Sequence, residues 1–520
     1  MTKKEITKYC GIEIINRDVI ILSKLEKIIG KPLSHVNEIE RETIGFTVKD
    51  KKVTRLGLFK QGLTELPECI CDLLDLERLW IRYNEMTFLP ESLSKLTKLE
   101  RINCVGTPLL ELPESIGKMK SLQYIYCNFT KITKLPKSIC DLPNIKQLWV
   151  EFGPLVELPD EIGNLTTMDE LLLEKGCLTQ LPESIGKLTN LRGIQLDDHN
   201  LTSLPDSIGQ LKIEYICLDG NQLTELPETI GNLTKLRALR LTGNKLTSLP
   251  ESIGKLKNLE HIWLHKNKLT HLPNNFGNLR NLDHLMLHRN NLSELPESIG
   301  NLSRLTVLKL SSNKLTEIPE SIGNMANLQE LYIDGNKLTT LPDSIGQLSN
   351  LHELWINSNK LASLPETIGD LKNLHKLVIS DNVLLILPEE LGQLTNLRHL
   401  DLRDNLMKQL PESLGKLTNL QELRLGFNEV SVLPENFGNL KNLEKFYFQK
   451  NWLNAIPESF TKLKKLTHLN LNQVQMTKVS DVLLKLPNLK FLWIQPDWWQ
   501  EEREEGVLNE LEKKGCKIYN

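Results

Sequence analysis

Four histidines have the spacing in this sequence that comes closest to a metal site. His261 and His284 are 23 residues apart, and so are His265 and His288. If equivalent repeat positions lie side by side, each pair would offer two nitrogen ligands to zinc, which takes four ligands in structural sites. No carboxylate occupies the adjacent outward positions, and cations flank the histidines. We therefore predict no metal; a pH-sensitive or anion-binding patch and a plain solvated surface remain the alternatives.

The nine cysteines are dispersed through the chain. Cys69 and Cys71 form a C-x-C pair, but no second pair follows to complete a metal site. An odd number of scattered cysteines favours free thiols in a reducing compartment. The N-terminus lacks the apolar core of a secretory signal, and no apolar run is long enough to span a membrane. These observations predict a cytoplasmic protein without a membrane span.

Catalytic sequence motifs are absent. The chain has no P-loop, kinase motif, G-x-S-x-G or H-E-x-x-H. About 50 residues precede the repeated part and about 25 follow it, too few for an independent catalytic domain. The net charge of −3 implies no bulk attraction to nucleic acid. We predict a protein that is not an enzyme and needs no cofactor.

Aromatic and arginine residues concentrate between positions 78 and 152, although only 5% of the chain is aromatic. Trp, Tyr and Arg dominate binding hot spots, so this concentration indicates a partner-binding surface. The alternative is sequence drift in irregular repeats. The predicted partner-binding residues, including a second group in the later repeats, are Arg78, Trp80, Arg82, Tyr83, Tyr124, Tyr126, Trp149, Phe152, His261, Trp263, His265, His284, His288, Tyr332 and Trp355.

A repeated frame must position these residues. It reads LRALRLTGNKLTSLPE over residues 236–251, and its proline recurs every 23 residues from Pro67 to Pro457, with one step of 22 between Pro205 and Pro227. Such a period is typical of stacked repeats. The x-L-x-L-x segment predicts a short strand with inward leucines, and L-P-E-S-I-G-K-L predicts a helical or 3₁₀ turn. Stacking would bury leucines that one repeat cannot bury alone.

Asparagine follows the strand in most repeats. Its side-chain amide supplies donors and an acceptor, so a column of asparagines would satisfy the backbone of successive turns. The column is interrupted between positions 107 and 199, where the loops are also irregular. The predicted structural ladder comprises Asn221, Asn244, Asn267, Asn290, Asn313, Asn336, Asn359, Asn382, Asn405, Asn428 and Asn451.

This LPxxIGxLxxLxxLxLxxNxLxxLP frame resembles the leucine-rich repeats of the 23-residue intracellular class. It is similar to the Ras-group scaffolds, to Scribble and Erbin, and to plant disease-resistance arrays. The resemblance implies an α/β solenoid, a curved horseshoe of about 20 repeats with a parallel β-sheet on the concave face and short helical or 3₁₀ turns on the convex side. It also implies protein partners, among them small GTPases and phosphatases.

Three parts follow from the limits of the repeat. We predict an N-terminal helix and hairpin cap at 1–52, a solenoid at 53–498 and a C-terminal helix-strand cap at 499–520, because solenoid ends need capping. The predicted function is that of a scaffold or adaptor, with a partner protein on the concave face and a role in intracellular signalling. The alternatives are nucleic-acid or anionic-ligand binding through the Arg and His patches, and a regulatory subunit or inhibitor of an enzyme.

Overall fold

The computed structural model describes residues 6–476, 479–494 and 503–519. The chain divides into two compact units, Met1–Leu259 and Glu260–Asn520, called unit 1 and unit 2 below. The predicted boundary at 498/499, together with Trp498 and Trp499, lies outside the described residues. No helix in the described part of the chain is both long and apolar enough to cross a membrane.

The local structure of one repeat follows from its residue pattern. Leu239 and Leu241 are fully buried, while Arg240 between them points outward from the strand Ala238–Arg240. Pro250 then precedes a 3₁₀ turn at Glu251–Lys255, because its fixed φ and missing N–H suit the start of a helical turn. Each buried leucine stabilises the stack by about 1.5–3 kcal/mol.

Unit 1 begins with a hairpin and a helix and continues as a stack of repeats. Its strands and helix are β1 Ile6–Tyr9, β2 Ile12–Ile15, α1 Asn16–Ile29, β3 Ile44–Lys49, β4 Lys52–Leu58, β5 Arg78–Trp80, β6 Arg101–Asn103, β7 Tyr124–Tyr126, β8 Gln147–Trp149, β9 Glu170–Leu172, β10 Gly193–Gln195, β11 Tyr215–Cys217 and β12 Ala238–Arg240. Its 3₁₀ turns are Glu68–Asp72, Glu91–Lys95, Glu114–Lys118, Lys137–Asp141, Ile162–Asn164, Glu183–Lys187, Asp206–Gln210, Glu228–Asn232 and Glu251–Lys255.

Unit 2 repeats the same alternation and ends with a helix and a strand. Its elements are β13 His261–Trp263, β14 His284–Met286, β15 Val307–Lys309, β16 Glu330–Tyr332, β17 Glu353–Trp355, β18 Lys376–Val378, β19 His399–Asp401, β20 Glu422–Arg424, β21 Lys445–Tyr447, β22 His468–Asn470, β23 Phe491–Trp493, α2 Arg503–Lys513 and β24 Lys517–Tyr519. Its 3₁₀ turns are Phe276–Asn278, Glu297–Asn301, Glu320–Asn324, Asp343–Gln347, Glu366–Asp370, Glu389–Gln393, Glu412–Lys416, Glu435–Asn439, Glu458–Lys462 and Asp481–Lys485.

Strands pair with strands, and 3₁₀ turns pack against 3₁₀ turns. β4 to β12 form parallel pairs in unit 1, and β13 to β24 do so in unit 2. The turns approach so closely that a Cβ on Gly117 would lie 2.4 Å from the Ser138 carbonyl oxygen in the next repeat. The predicted solenoid of parallel strands and 3₁₀ turns is confirmed within each unit.

The N-terminal elements attach to the first repeat through a buried carboxylate. β3 and β4 form an antiparallel hairpin, and β4 pairs in parallel with β5. Asp18 of α1 is fully buried, accepts a hydrogen bond of 2.9 Å from the Val53 N–H, and forms an ion pair with Arg17 at 2.9 Å. This carboxylate therefore ties α1 to the first strand of the repeat stack.

The asparagines form hydrogen bonds to the strand-turn backbone of adjacent repeats. Asn336 donates from Nδ2 to the carbonyl oxygens of Leu310, at 3.1 Å, and Ile333, at 3.0 Å. Its Oδ1 accepts from the Leu315 N–H at 3.0 Å. All three backbone groups belong to buried leucine or isoleucine residues, so the amide prevents the cost of leaving them unpaired.

His199 occupies a ladder position in unit 1 and makes the contacts of an asparagine. Its Nδ1 accepts a hydrogen bond of 3.1 Å from the Leu178 N–H, and its Nε2 donates to the Leu173 carbonyl oxygen. A Cβ on Gly176 would lie 2.3 Å from Cε1 of this imidazole, so the glycine leaves room for the ring. Sequence reasoning treated position 199 as a break in the ladder, which is wrong for its hydrogen bonding because an imidazole also has one donor and one acceptor.

Candidate functional site

Aromatic rings meet on the outward surface of the unit 1 sheet. Parallel pairing places Tyr126 opposite Trp149, and their ring centroids are 4.6 Å apart. Tyr124 lies 6.4 Å from Tyr126, measured between ring centroids. Trp80 has the equivalent position on β5, and all four side chains are half-buried. We call Trp80, Tyr124, Tyr126 and Trp149 the aromatic cluster.

Several donors in and beside the cluster have no internal acceptor. The Tyr126 hydroxyl donates to Gln147 Oε1 at 2.9 Å. By contrast, Trp80 Nε1, Trp149 Nε1 and Arg101 Nε are buried atoms without a hydrogen-bond partner among the described residues. A buried donor left unpaired costs about 1–3 kcal/mol. The cluster is therefore not optimised for internal hydrogen bonding.

Three arginines stand side by side on β4, β5 and β6, and Arg78 shares β5 with Trp80. Register pairs Arg55 with Arg78 and Arg78 with Arg101. We call these three residues the arginine strip. Burial, followed by the charges of Arg55 and Arg101, lowers the pKa of the Arg78 guanidinium. The Arg101 guanidinium lies 4.1 Å from the Tyr124 ring centroid, so the strip joins the aromatic cluster through a cation–π contact.

Arg82 lies after β5 and faces a different neighbourhood. Its Nη1 donates to the Arg41 carbonyl oxygen at 3.0 Å, and its guanidinium is 5.5 Å from the Tyr83 ring centroid. Burial is the main cause of the lowered pKa of Arg82. Arg82 is thus anchored to the N-terminal elements, whereas the arginine strip faces outward.

Aromatic residues also occupy left-handed backbone positions in unit 1. Tyr83, Phe129 and Phe152 have φ values of 55°, 57° and 57°. Bulky residues seldom adopt this conformation, which costs roughly 1–2 kcal/mol per residue. Phe129 and Phe152 are 52% and 39% exposed, and their rings stack with centroids 4.4 Å apart. These exposed rings extend the apolar surface beyond the aromatic cluster.

A column of acidic side chains follows the cluster, and sequence reasoning missed it. Glu151, Glu174, Asp197 and Asp219 hold equivalent positions, since Phe129, Phe152, Lys175 and Asp198 donate their N–H groups to the carbonyls of those four residues in turn. We call these four residues the carboxylate ladder. The signal in the sequence is a series of acidic residues at near-constant spacing, one just after each strand.

Like charge and burial perturb the carboxylate ladder. Burial raises the pKa of Asp197 to about 6; the hydrogen bond from the Asp219 N–H opposes this rise, and the Asp219 charge adds to it. Burial and then Glu174 raise the pKa of Glu151, whose carboxylate accepts a hydrogen bond from Asn128 Nδ2. Within the described residues, Arg240 pairs with Asp219 at 2.5 Å and with Asp197 at 3.9 Å, while Glu151 and Glu174 have no ion pair.

The histidines of unit 2 lie in the predicted lateral pairs. The ring centroids of His261 and His284 are 5.6 Å apart, and those of His265 and His288 are 4.3 Å apart and nearly parallel. Burial and then the neighbouring cations lower the pKa of His288 to about 4. Trp263 lies against His261, with 5.5 Å between ring centroids. Among the described residues, no three His, Cys, Asp or Glu side chains are grouped to hold a metal ion.

Tyr332 and Trp355 are neighbours on β16 and β17, with ring centroids 5.8 Å apart. The Tyr332 hydroxyl donates to Glu330 Oε2 at 2.9 Å, and Trp355 Nε1 donates to Glu353 Oε2 at 2.9 Å. Lys376 Nζ lies 4.2 Å from the Trp355 ring centroid. The polar ends of both rings are therefore satisfied within unit 2.

The comparisons with known proteins identify the repeat family. The model of the leucine-rich repeat region matches residues 228–309, 284–382 and 385–519, which together cover more than half of the chain. The chain is a leucine-rich-repeat protein. A search of curated proteins gives no significant match.

Solved leucine-rich-repeat structures are similar over most of the chain. A leucine-rich-repeat protein of Leptospira interrogans is 34% identical, with a TM-score of 0.59 over 76% of this chain and 95% of that one. A TDR receptor is 27% identical, with a TM-score of 0.61 over 85% and 84%. The Arabidopsis receptor kinase HAESA, solved with the peptide hormone IDA and the co-receptor SERK1, is 25% identical, with a TM-score of 0.59 over 95% and 85%.

The predicted binding residues of this leucine-rich-repeat protein are divided between the two units. Eight of them, Arg78, Trp80, Arg82, Tyr83, Tyr124, Tyr126, Trp149 and Phe152, lie in unit 1, and the remaining seven lie in unit 2. Unit 2 also exposes an apolar group that the sequence analysis did not single out: Val383, Leu385, Ile386, Leu406, Val432 and Trp452. Val383 and Leu406 replace the lysine found at this position in several earlier repeats, and that replacement could have revealed the group.

Proposed function

We propose that this leucine-rich-repeat protein is a non-catalytic scaffold that binds a protein partner on the outward sheet surface of unit 1. The observation that carries the proposal is the aromatic cluster, whose indole donors on Trp80 and Trp149 lack internal acceptors. Half-buried Trp, Tyr and Arg side chains gathered on one surface are the groups that contribute most to protein interfaces. A partner would cover the half-buried rings of the aromatic cluster and the exposed rings of Phe129 and Phe152.

Nucleic acid fits this surface less well than a protein. The arginine strip would attract phosphates, but Glu151 and Glu174 lie a few strands further along the same surface without ion pairs. A nucleic acid that extended from the arginine strip to these carboxylates would place its phosphates next to negative charge, and the two would repel each other. A protein segment can present both signs of charge and is the better match.

The family comparisons support protein binding in general terms. HAESA is a receptor kinase that was solved with a peptide hormone and a co-receptor. Resemblance to the Ras-group scaffolds and to Scribble and Erbin suggests a small GTPase or a phosphatase as partner, and this suggestion stays a prediction. The proposal includes the 23-residue intracellular class, a signalling role and a cytoplasmic setting. The nine cysteines are all unpaired in the structure, and this supports the cytoplasmic setting.

The test is a paired affinity capture from native cell extract, with bound proteins identified by mass spectrometry. The variant Trp80→Ala/Tyr126→Ala/Trp149→Ala should lose the partner, because each hot-spot ring is worth about 2 kcal/mol or more. The matched control, Tyr332→Ala/Trp355→Ala, removes neighbouring rings from the unit 2 sheet and should retain it.

Circular dichroism and thermal melting must first show that both variants fold. A partner that the unit 1 variant retains and the unit 2 variant loses would contradict the proposal and move the binding surface to unit 2. Equal retention by both variants would contradict any role of these rings.

A further inference from the structure

The unit 1 sheet surface changes charge in one direction across its strands. One outward column runs from Arg55, Arg78 and Arg101 through Tyr124 and Gln147 to Glu170, each paired in register with the next. The carboxylate ladder runs beside the acidic end of this column, from Glu151 onward. The surface is therefore basic on β4–β6, where Trp80 also lies, aromatic on β7 and β8, and acidic from the end of β8 to the end of β11.

In the part of the chain that the structure describes, neither charged end has a close ion-pair partner, although the charges of Glu77 and Glu100 act on Arg78 and that of Lys175 acts on Glu151. No ion pair involves Arg55, Arg78 or Arg101 among the described residues, and the same holds for Glu151, Glu170 and Glu174. Like charges placed opposite each other on neighbouring strands destabilise a sheet. Arg240 relieves this repulsion at the far end only, through Asp219 and Asp197. Both ends are thus available to charges supplied from outside.

The separation of the two ends defines the size of a matching segment. Arg78 lies on β5 and Glu170 on β9, four strand spacings apart. At about 4.8 Å per spacing, the two charged ends are roughly 19 Å apart. An extended peptide advances about 3.3 Å per residue, so about six residues would bridge them.

We propose that the partner of this surface contributes an extended, bipolar segment, with acidic residues on the arginine strip, apolar residues on the aromatic cluster, and basic residues on Glu170 and the carboxylate ladder. The inference rests on the proposed function and names the chemistry of the partner. Its basic residues would also lie beside Tyr126 and Trp149, whose ring faces attract cations. Because the two ends of the surface have opposite charge, the acidic end of the segment must lie on β4–β6 and its basic end on β8–β11.

The experiment is a selection of displayed random dodecapeptides against four forms of the full chain. They are the wild type, Arg55→Glu/Arg78→Glu, Glu170→Lys/Glu174→Lys, and the protein with all four changes. Wild type should enrich peptides with acidic and basic residues on opposite sides of an apolar centre. The first variant should enrich peptides that are basic at both ends, and the second should enrich peptides that are acidic at both ends.

The variant with all four changes sharpens the test. Its surface again has one basic and one acidic end, but the two ends have exchanged places. It should recover charge-segregated peptides, since a peptide can bind in either chain direction. A synthetic peptide selected on wild type should bind each two-residue variant at least about tenfold more weakly, measured by fluorescence anisotropy. If charge reversal prevents folding, the Gln versions of the same variants should each lose selection for one sign of charge.

Peptides without charge segregation, or no enriched peptide from a folded wild-type protein, would overturn the inference. So would selection of the same peptides by all four forms. Preferred capture of single-stranded DNA over the selected peptides in the same anisotropy assay would overturn it in favour of a nucleic-acid ligand. If the captured cellular partner needs the aromatic cluster but ignores both charge reversals, the proposed function stands and only the bipolar segment is wrong.

Discussion

The outward sheet surfaces of the two units differ in how neighbouring charges are arranged. Unit 1 places Arg55, Arg78 and Arg101 next to one another. On unit 2, Glu422 of β20 lies within 3.7 Å of His399 and 3.9 Å of Lys445 on its neighbouring strands. Opposite charges on adjacent strands stabilise a sheet, whereas like charges destabilise it. Unit 2 therefore has an opposite-charge contact at Glu422 that the arginine strip of unit 1 lacks, although Glu330 and Glu353 lie opposite each other there.

The aromatic residues show the same difference. Trp149 of unit 1 leaves its indole N–H without an internal acceptor, while Trp355 of unit 2 donates to Glu353 and lies against Lys376. Both rings occupy the same position of the repeat. The identity of the neighbouring outward residues therefore decides whether the indole N–H has an acceptor.

The turns beneath the two surfaces differ as well. Unit 2 keeps an asparagine at each ladder position from Asn267 to Asn451, whereas unit 1 has threonine, glycine and histidine between positions 107 and 199. Thr107 makes one hydrogen bond from its hydroxyl, to the Ile81 carbonyl oxygen at 3.3 Å. Unit 1 thus combines an unusual surface with a less complete internal ladder.

The largest expected difference between the units comes from truncating this ladder. Asn313→Ala removes hydrogen bonds to Leu287, Leu310 and Leu292 and should lower the free energy of unfolding by about 3 kcal/mol, at about 1 kcal/mol per bond. Thr107→Ala removes one and should cost about 1 kcal/mol. Urea unfolding, with hydrogen exchange to assign the affected repeats, measures both. Equal costs would show that threonine supports its turn as well as asparagine does.

A second, smaller difference concerns the carboxylates. Glu353→Ala removes the acceptor of Trp355 Nε1 and should destabilise the protein by about 1 kcal/mol, whereas the Tyr332 hydroxyl keeps Glu330 as its acceptor. Glu174 stands between Glu151 and Asp197 in the carboxylate ladder and has no ion pair among the described residues. Because Glu174→Ala removes one of three neighbouring like charges, it should change stability by no more than about 0.5 kcal/mol or raise it slightly. Thermal melting at low salt gives the comparison. Clear destabilisation by Glu174→Ala would mean that the carboxylate ladder is compensated internally.

The smallest expected effect is a pH dependence at His199. Burial lowers the pKa of this imidazole below 6.5. Nδ1 accepts a hydrogen bond from the Leu178 N–H, so protonation there would also lose that bond. The folded state then binds fewer protons than the unfolded state, so its stabilising contribution is present above pH 6.5 and is lost as the pH falls below that value. His199→Asn should reduce the loss of stability between pH 8 and pH 5.

Unfolding by urea at the two pH values tests this prediction, with His288→Gln in unit 2 as the matched comparison. His288 has its pKa lowered to about 4, so it contributes with the same sign over the window from pH 6.5 to about 4. An unchanged pH dependence in His199→Asn would show that this histidine does not titrate with folding.

Much of the fold could be predicted because short sequence patterns within each repeat specify its secondary structure. The alternation of leucines around Leu239 indicates a strand, and the proline that follows indicates a 3₁₀ turn. The asparagine after each strand indicates a hydrogen-bonded turn. All three follow from the chemistry of neighbouring residues. The constant period also predicted that His261 would lie beside His284. The asparagine-like role of His199 was not predicted, because it depends on the space that Gly176 leaves above it.

The sequence by itself determined the repeat frame, the buried columns and the residues that become lateral neighbours, since all of these follow from a period of 23 residues and the two-residue alternation of a strand. Only the tertiary structure decided which outward residues are satisfied. Whether Trp149 or Trp355 has an acceptor, and whether Arg78 or Glu174 has a partner of opposite charge, depends on side chains from adjacent strands within a few ångströms. Those distances result from the stacking of repeats and cannot be derived from the sequence of a single repeat.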